Sequence, residues 1–209
     1  TSYRQEYLMQ RTTHKWLAAA VSLTPTGTAT AAYHHYGSPL YNEQQLSLGF
    51  AQAINNSISL GATVDYLYSS TSDPHYDPLR GISFSLSAQA MLSKSFTIGA
   101  RLVNPTAIQL ANLDEHLPPQ ATIGVAYSPL NFLTSTLEVE KTKQRPIVIR
   151  GGVEYLFLNN FAFRTGFATQ PTVFSFGLGF RQQHYLIDLC ATVHQTLGLT
   201  PMLGGAIAF

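Results

Sequence analysis

Side chains of alternating character run through almost the whole of this chain, and that period of two leaves few folds open. Successive residues of a β-strand point to opposite faces, so alternation predicts extended chain with two unlike faces. The clearest case lies near the C-terminus. Tyr185, Ile187, Leu189, Ala191 and Val193 share one face, and Asp188, Cys190, Thr192 and His194 the other. Phe174, Phe176, Leu178 and Phe180 alternate with Ser175, Gly177, Gly179 and Arg181, and Phe161, Phe163 and Phe167 with Ala162, Arg164, Gly166 and Ala168. The pattern recurs upstream at 147–157, 133–140, 122–127, 96–102, 82–89, 58–68 and 46–51. Three earlier segments, 3–10, 15–23 and 28–36, are weaker, and 202–209 ends the chain. The sum is about fourteen segments of roughly nine to eleven residues, the length of a tilted membrane strand, and the count is even, as in bacterial single-chain barrels. Only 105–113 fits a helical period.

A soluble β-sandwich also alternates. Charge separates the two. Asp, Glu, Lys and Arg make up 11% of the 209 residues, against about 25% in ordinary soluble domains. The polar faces are built mainly from Ser, Thr, Gly and Ala. No run approaches the ~20 apolar residues of a membrane-spanning helix; the longest is 16–23. The net charge is +1 and the twelve Lys and Arg are scattered, so a nucleic-acid partner is not expected. The one cysteine, Cys190, excludes an intrachain disulfide and a cysteine-based metal site. No signal peptide opens the sequence at Thr1, so for an exported protein the numbering is expected to start after cleavage, or later still.

Connections alternate in length. Short ones fall at 54–57, 92–95, 128–131 and 158–160, and longer ones at 36–42, 69–80, 104–119 and 195–201. Short turns on one rim and long loops on the other are the outer-membrane pattern. The short turns share a side with both termini, which predicts that both termini are periplasmic. Aromatics gather on that side: Phe96, Tyr127, Phe132, Phe157, Phe161, Phe180, Tyr185 and Phe209. An interfacial girdle accounts for them. The expected fold is an all-β, transmembrane, antiparallel up-and-down β-barrel of about fourteen strands, one domain over 1–209, in a bacterial outer membrane with its lipid as partner.

Several segments resemble a known family. Leu117-Pro118-Pro119-Gln120-Ala121-Thr122-Ile123-Gly124-Val125-Ala126-Tyr127 and Arg150-Gly151-Gly152-Val153-Glu154-Tyr155 are similar to strands of the FadL-like outer-membrane superfamily. Asn159-Asn160-Phe161-Ala162-Phe163-Arg164-Thr165-Gly166-Phe167 resembles one of its hairpins. So does Ser175-Phe176-Gly177-Leu178-Gly179-Phe180 followed by Tyr185-Leu186-Ile187-Asp188-Leu189. The nearest resemblance is to the PorV and PorQ-like proteins of Bacteroidetes. Gly204-Gly205-Ala206-Ile207-Ala208-Phe209 looks like the C-terminal aromatic assembly signal of such barrels, carried by Phe209. The resemblance implies a fourteen-stranded barrel that passes hydrophobic compounds or serves in a protein-export machine. It also implies an N-terminal plug with a Gly-rich stretch and an Asn-Pro-Ala motif, which this sequence does not contain.

The inner wall carries the candidate site. If Phe157 pairs with Phe161, Glu154 faces Arg164. If Ala168 pairs with Val173, Arg164 faces Gly177. If Phe180 pairs with Tyr185, Gly177 faces Asp188, and Arg164 reaches across the bare glycine. Buried charge is costly unless paired, so a Glu154–Arg164–Asp188 network is expected, as structural pairing or as a selectivity lining. His34 and His35 are adjacent and point to opposite faces, which does not suit joint metal binding. His14, His75, His116, His184 and His194 fall near turns or strand ends, where solvated side chains are expected. Asp73-Pro74-His75-Tyr76-Asp77-Pro78 reads as turn chemistry before ligand chemistry. Cys190 is expected to face inward with no base nearby, and nothing positions the Asp114-Glu115-His116 triplet for acid–base work. No phosphate loop, nucleophile elbow or zinc motif occurs. Neither enzyme activity, nor a cofactor, nor a metal is expected.

Two roles follow. The first is an accessory or structural subunit of an outer-membrane export or assembly complex, with other subunits as partners. The small residues Ala18, Ala20 and Ala32, read as outward-facing, would be its contact face. The second is a channel for small hydrophobic molecules, for which the inward Gly, Ser and Ala leave space.

Overall fold

The computed structural model of the chain describes residues 1–6, 12–73, 75–108, 117–158 and 160–209. Strand is nearly all it contains: β1 (Ser2–Gln5), β2 (Thr13–Ser22), β3 (Gly27–Gly37), β4 (Tyr41–Ala53), β5 (Ile58–Thr71), β6 (Leu79–Ser93), β7 (Phe96–Val103), β8 (Gln120–Leu130), β9 (Leu133–Thr142), β10 (Val148–Phe157), β11 (Phe161–Thr169), β12 (Thr172–Gln182), β13 (Tyr185–His194) and β14 (Gly198–Ile207). Each strand pairs with the next, and β1 closes against β14 to complete an antiparallel barrel. Closure removes the free edge that an open sheet must protect. The chain ends take part: the Thr1 ammonium donates to the Gly205 carbonyl at 2.7 Å, and the Gly205 amide donates to the Thr1 carbonyl at 2.9 Å.

Cross-strand register gathers the alternating residues into continuous rows. One outer row runs Leu133, Tyr155, Phe163, Leu178, Leu189, Leu203 and Tyr3, from β9 round to β1. A soluble sandwich would enclose such residues between two sheets. Here Phe163, Phe176 and Ile187 stand outside the wall, 43%, 50% and 52% exposed. Among the described residues the one buried hydrophobic side chain is Ala162. The barrel has an apolar exterior in place of an apolar core.

Three local expectations change. β1 holds Ser2–Gln5, where the sequence suggested 3–10; residues 7–11 lie outside those described. Residues 105–108 are not helical, and Asn104 and Ala107 flank Pro105 and Thr106 with φ of 50° and 49°, which breaks a helix; 109–113 lie outside the described residues. The third concerns β2. Ala18 pairs with Ala32, Ala32 with Ser47, and Ser47 with Asp65. These positions, with Ala20 opposite Thr30, face the lumen, and Leu17, Ala19 and Val21 face out. An unbroken apolar run carries no parity of its own, so the orientation of β2 is set through register with β3 and β4 by Asp65 of β5.

The β3–β4 turn depends on glycine. Gly37 has φ of 142°, and a Cβ there would run into the Tyr41 carbonyl. Gly198 also has positive φ, 88°, but open space around it. Gly37→Ala should destabilise the barrel by about 1–3 kcal/mol and by more than Gly198→Ala, as read by urea unfolding of the refolded protein.

Candidate functional site

Side chains of the inner wall leave a cavity of about 780 Å³ within the barrel. Its wall is open because small residues stand in register. Gly61 pairs with Ser87, and Gly99 lies between Gln89 and Gly124. Beyond Gly124 the row continues to Glu138 and Arg150. A Cβ at Gly99 would come no nearer than 3.8 Å to any other group, so its neighbours do not crowd it. Opposite this lane, Trp16, Ala18, Ala20 and Ser22 of β2 are exposed although they face inward. The lumen among the described residues is therefore accessible to water, not filled by packed side chains.

Two arginines of this wall, Arg150 and Arg164, are neutralised by carboxylate neighbours. Arg150 Nη1 donates to Glu138 Oε1 and Glu140 Oε2, both at 2.8 Å. Arg101 faces the same cavity and forms no ion pair among the described residues. A second cluster holds the three residues expected from the hairpin arithmetic. Arg164 Nε donates to Glu154 Oε2 at 2.5 Å, and Arg164 Nη1 donates to Asp188 Oδ1. All three side chains are about one-third exposed (34%, 33% and 30%), so water screens the cluster in part and its net effect is well below that of a dry ion pair.

The route to that cluster differs from the expected one. Glu154 does face Arg164, and Arg164 does face Gly177. But β12 and β13 are joined through Gln183 and His184 alone, with Gln182 opposite Tyr185. Phe180 therefore pairs with Ile187, not with Tyr185, and Asp188 faces Gly179, not Gly177. Gln183, at φ of 46°, makes the tight connection. Arg164 thus crosses Gly179. A Cβ on Gly179 would lie 2.6 Å from Asp188 Oδ1 and 3.0 Å from Arg164 Nη1, whereas one on Gly177 would make ordinary contacts.

Two clusters were not foreseen. At the β1–β2 end, Glu6 is buried and takes an ion pair from Arg4, with His14 Nε2 at 2.9 Å. His14 Nδ1 lies 3.2 Å from His34 Nε2, and its ring centroid is 4.3 Å from that of Tyr36. The signal lay in the spacing of the β2–β3 hairpin, which places His14 opposite Tyr36 and diagonal to His34. His35 faces out, as adjacency to His34 required. In β5, Asp65 is 3% exposed and accepts Gln45 Nε2 at 2.9 Å, Ser47 Oγ at 2.5 Å and Ser85 Oγ at 3.3 Å. These donors come from β4 and β6, so no local motif announces them.

The remaining candidates are placed as follows. Cys190 faces inward, opposite Gly177 and Met202. Phe209 lies beyond β14 and is fully exposed. Asp73 accepts both the His75 amide, at 3.0 Å, and its ring Nδ1, at 2.9 Å; these bonds hold its carboxyl below the usual range. Asp114, Glu115 and His116 lie outside the described residues. Among the described residues no group of three His, Cys, Asp or Glu is placed to hold a metal.

Solved barrels share the architecture. The TodX monoaromatic hydrocarbon channel, in its deltaS2S3 mutant, superposes with a TM-score of 0.77 at 11% identity, over 100% of this chain and 88% of that one. A Pseudomonas aeruginosa FadL homologue gives 0.62 at 12% identity, over 94% and 75%. The KdgM porin, in complex with disordered oligogalacturonate, gives 0.54 at 12% identity, over 100% and 98%. No protein-family model matches the chain, and neither does any curated protein sequence.

The geometry gives an ordered set of outcomes. Gly179→Ala should lower stability by about 1–3 kcal/mol, and Gly177→Ala by less than about 0.5. Arg164→Met should cost about 1–2 kcal/mol by leaving two carboxylates without a cation, and adding Glu154→Gln and Asp188→Asn should restore most of it. Urea unfolding of the refolded series checks both.

Proposed function

We propose that this protein is an outer-membrane channel for small molecules, with its termini and short turns on the periplasmic side. The observation that carries the reading is the water-accessible cavity of about 780 Å³ inside a closed fourteen-strand wall. Eight strands enclose little more than their own side chains, and lumen width grows with strand number. A belt of Phe, Leu, Ile and Val on the outside fits hydrocarbon and not water. Likeness in fold to a hydrocarbon channel, a FadL homologue and a porin supports the same reading.

The lining suggests solutes with both polar and apolar parts. Arg101, Glu138, Glu140 and Arg150 face the cavity, while Trp16, Leu67 and Val103 also turn inward. Charged groups on a wet wall offer partners to the polar groups of a solute, and the apolar side chains beside them meet its apolar part. The Glu154–Arg164–Asp188 cluster fits structural pairing, since its charges satisfy one another. Phe209 fits a role in assembly, as the terminal aromatic of the last strand.

The alternative role, as a subunit of an export or assembly complex related to the PorV and PorQ-like proteins, has less support. Its proposed contact face was Ala18, Ala20 and Ala32, and all three line the lumen.

Planar-bilayer recording tests the channel. The refolded protein should give discrete conductance steps. Gly99→Trp and Gly124→Trp, each placing a large ring in the cavity, should cut the step to about half or less while the barrel still folds. A folded, inserted protein without conductance would overturn the reading.

A further inference from the structure

The outer wall carries charge at one end only. Among the described strand residues, the charged side chains that point outward are Lys15, Arg80 and Lys141. Each lies within two residues of the end of its strand that meets the longer connections. The strand-borne carboxylates Glu43, Asp65, Glu138, Glu140, Glu154 and Asp188 all point inward. At the opposite rim the outward groups are aromatic: Phe157 and Phe161 stack with centroids 5.5 Å apart, and Phe161 meets Phe180 at 5.1 Å. The outward strand charges at the long-loop end are thus all cationic, and the complement of that row is anionic.

Lys15 and Arg80 belong to one row. Register runs Tyr3, Lys15, His35, Gln44, Tyr68, Arg80, one residue per strand from β1 to β6. Four strand spacings separate Lys15 from Arg80, about 19 Å. Hydrogen-bonding groups fill the interval. Gln44 and Tyr68, with Tyr33, Leu46 and Tyr66 from the next outer row, line a cavity of about 370 Å³. The Arg80 guanidinium lies 5.8 Å from the Tyr68 ring centroid, which holds the cation at the edge of this cavity. Tyr33 Oη donates to Gln44 Oε1 at 3.2 Å, and His35 Nδ1 is buried without a partner. Further along the same strands Leu48, Phe50, Val64 and Phe84 continue as an apolar surface.

We infer that this face binds the headgroup of a glycolipid bearing two phosphates. One phosphate sits at Lys15 and His35, and the other at Arg80. The sugar hydroxyls meet Gln44, Tyr33 and Tyr68, and the acyl chains lie on Leu46, Leu48 and Val64. A phospholipid with one phosphate engages only one end of a row this long. The inference rests on the membrane placement proposed above and not on conductance.

The test uses the folded protein in neutral detergent, titrated with a bis-phosphorylated disaccharide lipid, its mono-phosphorylated form and phosphatidylglycerol, with bound lipid read by native mass spectrometry. The bis-phosphorylated lipid should bind at least about fivefold more tightly than either competitor. Lys15→Gln and Arg80→Gln should each weaken it about fivefold, since each removes one surface cation. Lys141→Gln, on the far wall, should leave it unchanged. Equal binding of the three lipids overturns the inference, as does an equal loss in Lys141→Gln or full binding by Lys15→Gln and Arg80→Gln. Vesicle flotation reads the placement separately. A protein that floats but does not discriminate among the lipids overturns the lipid site alone; one that does not float overturns both.

Discussion

Every backbone N–H and C=O in this wall needs a partner, and the chain supplies them by closing on itself. An extended segment facing hydrocarbon has no water to satisfy its edge, so an open sheet is excluded and a ring is required. The seam is the narrowest part of that ring. β1 has four residues, yet it bridges β2 and β14, and the reciprocal bonds between Thr1 and Gly205 continue the ladder to the first residue. Once the ring is closed at fourteen strands, an interior follows that the inward side chains among the described residues do not fill. The lumen is a consequence of hydrogen-bond closure before it is a functional device.

Closure also sorts charge. A carboxylate on the outer face would meet an apolar medium with no partner, and none of the strand-borne carboxylates is there. Inside, the two arginine clusters reach different distances: Arg164 of β11 pairs with Glu154 of the adjacent β10 and, across β12, with Asp188 of β13, whereas Arg150 of β10 pairs with Glu138 and Glu140 of the adjacent β9. Small residues let this happen. Gly179 leaves the room through which Arg164 reaches Asp188, and Gly99 and Gly124, in register with Glu138, keep the wall at β7 and β8 open. The same choice of residues therefore serves charge pairing and empty space.

The legibility of this chain was uneven for a physical reason. Strands with Phe or Ile at every second position, such as those around Phe163, Phe176 and Ile187, declared both strand and orientation, because burying or exposing the wrong face costs too much to be ambiguous. Residues 16–23 declared a strand but not its orientation, since Leu17, Ala18, Ala19 and Ala20 are apolar on both faces. Their orientation comes from Asp65, three strands away, through Ser47 and Ala32. The Glu154–Arg164 pairing followed from a short turn. The position of Asp188 missed by two residues because Gln183 accepts a left-handed conformation and shortens the next turn. The His14–His34 and Asp65 clusters were invisible for the same reason: they are made across strands, by register.

By itself, then, the sequence determined the barrel class, its strand number and which residues of the strongly patterned strands look outward. Those properties are local, since a period of two needs no knowledge of a neighbour. The tertiary structure alone decided the register of β13, the facing of β2, the glycine that Arg164 crosses, and the outer row from Tyr3 to Arg80. Each of these depends on which residue lies opposite which, and that is set by turn length and ring closure, not by the character of any one strand.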